Sequence, residues 1–243
     1  MSNIIIYDFD GTLTPYKMTK FQILEECGLK DGAFNPKFLE MVEKRANDKN
    51  INVYCATYEV FFQLMRDANL KLVDENFSLG ADHVTYNNGV EDFLKFLKEN
   101  GIHNYLLSSG LRVYLEKTNI AKYFDKIYAT TFTYNSDGEV IGVDNLMSDR
   151  NKVIAIKDIL HSMGRQEDDC QNVVYIGDGF TDRYAMEYVK RNGGTSIFVY
   201  KEDNSELKKL EAEDIVSFST FADYSDNSEL RNYVKKLFFS NNK

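Results

Sequence analysis

The sequence predicts an α/β fold: a doubly wound parallel sheet with a helical segment inserted after the first strand and a small β-hairpin insertion further on. Three observations predict it. Short, uninterrupted apolar runs recur along the chain, the pattern of strands buried on both faces. Helical periodicities separate those runs, as expected for strands joined by crossover helices. Acidic or Ser/Gly clusters follow directly on three of the runs, at the strand ends where open α/β sheets bind ligands.

Asn3 to Tyr7, with three isoleucines, reads as the first strand and ends at Asp8-Phe9-Asp10-Gly11. Between Thr14 and about Asn88 the strand signal gives way to helical spacing. Phe38, Leu39 and Val42 form one stripe there, and Tyr54, Tyr58, Phe61, Phe62 and Met65 another. Val90, Phe93, Leu94 and Leu97 share a helical face that stops at Asn100-Gly101. Asn104 to Leu107 is the next strand. Residues flanking Asn135-Ser136-Asp137-Gly138 alternate, which marks a hairpin across Thr130 to Val143. Val153, Ile156, Ile159 and Leu160 make a further helix. Asn172 to Ile176 and Ser196 to Tyr200 are strands, Ile215 to Phe218 is a weaker one, and Leu230, Val234 and Leu237 mark a last helix.

Composition narrows the class. The 243 residues suffice for one large domain or a domain carrying a smaller inserted one. A hydrophobic share of 43% with 28% charged residues suits a globular protein with a sizeable core. The net charge of -9 disfavours nucleic acid and anionic lipid as partners. Cys27, Cys55 and Cys170 lie far apart and read as reduced thiols buried as small hydrophobes. No signal-peptide pattern leads into Asp8, and no apolar run approaches the roughly 20 residues of a membrane span. A cytoplasmic location is expected.

The chemistry concentrates at strand ends. Asp8-Phe9-Asp10-Gly11-Thr12 puts two carboxylates beside one site if the chain bends, and Gly11 supplies the freedom to bend. Asp8 is suited to attack phosphorus. Asp10 is suited to protonate the leaving oxygen and then to activate water. Ile176-Gly177-Asp178-Gly179-Phe180-Thr181-Asp182 brings Asp178 and Asp182 toward the same edge. Asp8 and Asp178 fit the hard-oxygen shell of Mg²⁺, with Asp182 as an orienting group. Ser108, Ser109 and Gly110 offer a hydroxyl and the N–H groups of a strand-to-helix turn to a phosphate oxygen. Lys152, near a helix start, offers a cation to the phosphoryl group and the carboxylates. Singly, each piece has a bland alternative: capping aspartates, a Ser/Gly turn, a solvated lysine. Their joint occurrence in one order points to phosphoryl chemistry.

In these motifs the chain resembles the haloacid dehalogenase superfamily of hydrolases, and in its helical insertion the phosphoserine phosphatase-like branch with a helical cap. Asp8 to Thr12 stands as the first motif, Ser108 the second, Lys152 the third, and Gly177 to Asp182 the fourth. The resemblance implies a Rossmann-like catalytic core over residues 1–14 and 89–243 and a helical cap over 15–88. It implies Asp8 as nucleophile and Asp10 as acid/base. Mg²⁺ would be held by Asp8, the backbone carbonyl of Asp10 and Asp178. Ser108 and Lys152 would bind the phosphoryl group, with Ser109 and Gly110 beside them and Asp182, Thr12 and Gly11 in support. The expected activity is a Mg²⁺-dependent phosphatase that hydrolyses a small-molecule phosphate monoester through an aspartyl-phosphate. Asp10 favours phosphatase over dehalogenase chemistry, and Phe9 stands where P-type ATPases carry lysine.

Phosphoserine phosphatases carry a glutamate shortly after the first motif that reads the substrate amine. Here the stretch Pro15-Tyr16-Lys17-Met18-Thr19-Lys20 holds no acid, which argues against phosphoserine as substrate. The alternatives are a phosphotransferase or phosphomutase using the same Asp8, a non-catalytic binder of phosphate compounds, and a receiver-like signalling domain. For the Tyr54–Phe62 aromatic stripe, helical spacing favours core packing over a pocket lining. Arg66 reads as a surface residue, the three histidines have no ligand spacing, and Lys208-Lys209 reads as a solvated helix face.

Overall fold

A computed structural model describes residues 2–16, 21–201 and 205–240. Its strands are β1 (Ile4–Tyr7), β2 (His103–Leu111), β3 (Lys126–Tyr134), β4 (Val140–Asn145), β5 (Val173–Gly177), β6 (Thr195–Tyr200) and β7 (Phe218–Phe221). They form one sheet in the order β4-β3-β2-β1-β5-β6-β7. Every pairing is parallel except β3 with β4. The uninterrupted apolar runs are explained by cover on both faces. Ile5 and Tyr7 of β1 join a cluster with α5 (Val90–Glu99) and α10 (Glu229–Phe239). Ile4 and Ile6 join the opposite cluster with α7 (Asp149–Ser162), α8 (Arg183–Arg191) and α9 (Ser205–Ala212). A short α6 (Arg112–Leu115) follows β2.

Four helices lie between β1 and α5: α1 (Phe21–Glu26), α2 (Pro36–Lys49), α3 (Val53–Asp67) and α4 (Asp74–Phe77). Their starts are built locally. Asn35 accepts a hydrogen bond from the Lys37 N–H ahead of Pro36 at the first turn of α2, and Asn52 accepts one from the Tyr54 N–H at the start of α3. The chain leaves β1 and returns to α5 through one tied crossing. The Asn87 N–H donates to the Leu13 carbonyl at 2.8 Å, and the Asn87 side-chain amide donates to the Thr12 carbonyl at 2.7 Å. Tyr224, from the segment before α10, donates its hydroxyl to the same Thr12 carbonyl.

The hairpin is continuous with the main sheet. Residues 126–130 of β3 pair with β2, and β3 then runs on to pair with β4. The Asn135 carboxamide oxygen accepts from the N–H groups of Asp137 and Glu139 and closes the turn, with Gly138 at φ 79°. Beyond the sheet, the hairpin supports the helical insertion. The Val140 N–H donates to the Leu72 carbonyl, and Tyr134 donates to Asp74. Phe132 packs on Phe77 with ring centroids 4.6 Å apart and on Phe62 at 5.7 Å.

Some expectations are corrected. The last strand is Phe218–Phe221 instead of Ile215–Phe218: Ile215 is bonded back to Leu210, closing the end of α9. Of the three thiols only Cys170 is buried, while Cys55 is exposed and Cys27 lies between. Leu39, assigned to an apolar stripe, is 51% exposed. Arg66, Lys208 and Lys209 are exposed, as read. Among the described residues no helix is long and apolar enough to cross a membrane.

The aromatic contacts among Phe61, Phe62, Phe77 and Phe132 make one prediction. Phe77 is fully buried. Phe77→Ala removes the ring that three others edge against and leaves a cavity. It is expected to cost about 3–5 kcal/mol of stability, read as a lowered urea midpoint with unchanged slope.

Candidate active site

Three strand ends meet at the carboxyl edge of the sheet. Asp8 follows β1, Ser108 to Gly110 lie in the last part of β2, and Asp178 follows β5. β1 is the central strand, flanked by the other two, so the strand order itself brings the three together.

Lys152 joins these pieces. It stands one turn into α7, 1% exposed, and its Nζ lies 2.7 Å from Asp8 Oδ1 and 2.7 Å from Asp182 Oδ1. The solvated-lysine alternative is therefore overturned. Asp182 has both oxygens committed. Oδ1 also accepts from the Tyr175 hydroxyl at 2.6 Å, and Oδ2 accepts from the N–H groups of Asp178 and Gly179. Four donors thus hold Asp182 in place. Asp178 accepts at Oδ1 from Thr12 Oγ1 at 2.9 Å. One oxygen from each of Asp8, Asp178 and Asp182 falls within 4.8 Å of the others, a cluster able to hold a cation.

Electrostatics express the crowding. Burial drives the Asp8 carboxyl up, Lys152 opposes it, Asp182 and Asp10 add to it, and the pKa settles at about 7. Burial and then the charges of Asp8 and Asp182 push Asp178 well above the usual carboxylate range. Burial alone would lower the Lys152 ammonium, but Asp182 and Asp8 outweigh it and hold it charged. Carboxylates thus outnumber the one cation inside this cluster. A divalent ion bound by Asp8 and Asp178 would relieve that excess, so the donor set fits a hard metal.

Two glycines are required by the carboxylates around them. Gly11 sits at φ 94°, and a Cβ there would lie 2.1 Å from Asp178 Oδ2. A Cβ on Gly177 would lie 2.5 Å from Asp182 Oδ2. Each acidic motif holds its glycine where a carboxylate of the fourth motif packs against bare backbone.

The second motif differs from its expectation. Ser108, Ser109 and Gly110 lie inside β2, where the register shifts between Leu107 and Leu111, instead of in a strand-to-helix turn. The Gly110 N–H donates to Ser108 Oγ at 3.0 Å, while the Ser109 carbonyl accepts from Tyr58 and Thr130. Ser109 and Gly110 line the same chamber as Asp8 and Asp10. Ser108 is almost wholly buried behind them.

That chamber has a volume of about 340 Å³ and is roofed by α2 and α3. The aromatic stripe of α3 divides: Phe61 and Phe62 are core, whereas Tyr54 and Tyr58 line the chamber. Tyr54 donates to Asp149, the first residue of α7, at 2.6 Å. Lys17 to Lys20, where the missing acid was noted, lie outside the described residues. For Tyr54 and Tyr58 the core reading is thus corrected, while Tyr175 and Asp149 were not singled out in the sequence. A tyrosine two residues before the end of an otherwise apolar strand was the available sign for Tyr175, since its buried hydroxyl needs an acceptor.

Residues 5–187 match the family model of haloacid dehalogenase-like hydrolases, and the chain belongs to that family. Solved structures share its fold. A phosphoserine phosphatase in apo form is 19% identical, covered over 98% of this chain and 100% of its own, with a TM-score of 0.66. A phospho-aspartyl intermediate analogue of phosphoserine phosphatase is 19% identical over 97% of this chain and 99% of its own, with a TM-score of 0.64. A phosphoserine phosphohydrolase-like protein from Francisella tularensis is 21% identical over 90% and 95%, with a TM-score of 0.56. No curated protein matches.

Gly11→Ala is expected to displace Asp178, break its hydrogen bond from Thr12 and strain the backbone. A loss of about 1–3 kcal/mol should appear as a lower thermal midpoint, together with weakened divalent-ion binding by calorimetry.

Proposed function

We propose that this haloacid dehalogenase-like hydrolase is a Mg²⁺-dependent phosphatase acting on a small phosphate monoester through an aspartyl-phosphate on Asp8. The observation that carries the reading is the placement of Lys152, buried, between Asp8 and Asp182, behind a chamber that Asp8 and Asp10 line. Removing one partner of a buried ion pair strands a charge, and such pairs contribute little net stability. This arrangement is better explained by phosphoryl transfer than by folding.

Lys152 holds Asp8 Oδ1 and so fixes the carboxylate, leaving its other oxygen to attack phosphorus. As the P–O bond to the leaving group breaks, Asp10 delivers a proton to that oxygen and the alcohol departs. Asp10, now ionised, takes a proton from a water. The water oxygen attacks phosphorus, the bond to Asp8 breaks, and inorganic phosphate leaves with both aspartates restored. The Ser108 hydroxyl, which accepts from the Gly110 N–H and keeps its own proton to donate, and the Ser109 N–H serve the phosphoryl oxygens in this scheme. Asp8, Asp178 and the backbone carbonyl of Asp10 would hold Mg²⁺, which supplies charge neutralisation at the phosphoryl group. Residues 15–88 act as a cap over a core of residues 1–14 and 89–243. That division is supported by the paired crossing at Leu13 and Asn87.

The deciding test is hydrolysis of an aryl phosphate with and without Mg²⁺. Turnover should require Mg²⁺, vanish in Asp8→Asn, and fall about 10²–10⁴-fold in Asp10→Asn. Unchanged turnover in Asp8→Asn would sink the role given to Asp8.

Stability supplies a second test. Folding raises the Asp8 pKa from the ordinary 3.8 to about 7. Between those values the folded state binds more protons than the unfolded one, so Asp8 contributes a stability loss that grows as pH rises from about 4 to about 7. Mg²⁺ at the carboxylates offsets that loss. The difference in thermal midpoint between Mg²⁺ and EDTA should therefore widen from about pH 5 to about pH 8, and the widening should shrink in Asp8→Asn.

A further inference from the structure

The chamber has two chemically different ends. Among its described lining residues, Asp8 and Asp10 carry the only charges, and both sit at the floor. The apolar part of the wall is Phe38, Leu39, Val42 and Val53 with the rings of Tyr54 and Tyr58. The two tyrosine hydroxyls are turned into the protein: Tyr58 donates to the Ser109 carbonyl at 3.0 Å and Tyr54 to Asp149 at 2.6 Å. What these side chains present to the chamber is therefore ring surface.

Leu39 is 51% exposed and Val53 is 52% exposed, although both line the chamber. Their apolar surface is left to water, and covering it releases free energy in proportion to its area. No basic side chain of the same helices is among the described lining residues. Arg45 and Lys49 both bind Glu59, and Arg66 is exposed and absent from the lining.

Resting on the phosphatase reading above, we infer that the chamber selects phosphate monoesters whose leaving group is uncharged and apolar, an aryl or compact alkyl alcohol, and discriminates against zwitterionic amino-acid esters such as phosphoserine. A phosphorylated amino acid would bring an ammonium and a carboxylate against the Phe38–Val42–Tyr54 wall. Burying either without a partner is costly. The ammonium finds no acid there, and the stretch 15–20 between the first motif and α1 contains none in its sequence. An aryl group instead finds three rings and three branched aliphatic side chains. The volume of about 340 Å³ lies at the small end of ligand pockets, which run from about 300 to 1,000 Å³, so the alcohol is compact.

The experiment compares 1-naphthyl phosphate with phosphoserine, both as substrates of the native protein and as ligands of Asp8→Asn by calorimetry in Mg²⁺. The expected result is a kcat/KM at least about a hundredfold higher for 1-naphthyl phosphate, with tighter binding of the same ester by Asp8→Asn. Leu39→Asn, at a half-exposed position, should cut that preference about tenfold, a change in ratio that a general loss of folded protein would not produce. Equal or better turnover or binding of phosphoserine overturns the inference while leaving the phosphatase reading intact. Preferential binding of 1-naphthyl phosphate without turnover of either ester sustains the inference and overturns the phosphatase reading. Binding of neither ester overturns both, and an unchanged ratio in Leu39→Asn overturns the assignment of the wall.

Discussion

The site is organised by one buried lysine. Lys152 must reach Asp8 at the end of β1 and Asp182 at the start of α8 at once, so it fixes α7 against a strand end and a helix start. At 2.7 Å each contact is worth about 6 kcal/mol at an effective dielectric of about 20. Desolvating an ion costs several kcal/mol, so the network roughly breaks even in stability. Its consequence is charge placement. Asp182 is saturated by Lys152, Tyr175 and two N–H groups, which leaves Asp8 and Asp178 under-compensated and facing each other. A protein that wanted only a stable core would have no use for that residue of negative charge. A protein that handles a metal and a phosphoryl group does.

This also explains which parts of the site the sequence displays. Asp8, Asp10, Asp178 and Asp182 stand out because carboxylates directly after apolar strands are conspicuous, and Gly11 and Gly177 accompany them because a carboxylate packs where a Cβ would be. Four of the five runs read as strands lie in the sheet, and the fifth, Ile215 to Phe218, reaches it only at Phe218. Burial of β1 on both faces, with Ile4 and Ile6 to one side and Ile5 and Tyr7 to the other, is what an unbroken apolar run means. Lys152 was legible only through its company, because a lone lysine at a helix start has no signature of burial. Tyr175 was hidden inside its own strand, where a buried tyrosine looks like any other large apolar residue until its hydroxyl's acceptor is known.

Other features depend on contacts far apart in sequence, and local patterns do not carry those. The sequence shows a hairpin around Asn135 to Gly138 but not that Phe132 would pack on Phe77 from the helical insertion. It places Ile215 in a strand, whereas its N–H closes the end of α9. Cys55 sits in an otherwise apolar stretch, yet its position on α3 turns it to solvent. Periodicity reports that a face is covered; it does not report by what.

The stripe on α3 shows why that distinction matters for function. Tyr54 and Tyr58 lie one turn apart, and Phe61, Phe62 and Met65 continue the same face. By spacing they are one surface. In space the C-terminal part is clamped by Phe77 and Phe132, Tyr58 edges on Phe132 as well and lines the chamber, and Tyr54 lines the chamber beyond that clamp. The helix is therefore anchored at one end and lines the chamber at the other. The floor has little freedom to vary, because each carboxylate's position depends on Lys152, Thr12 or a bare glycine. Tyr54 ties the wall to α7 through Asp149, but Leu39 and Val42 are apolar side chains with no bond to the floor's ion network, so they can change without disturbing the charges. In this fold, selectivity can be altered at the wall while the phosphoryl chemistry is left in place.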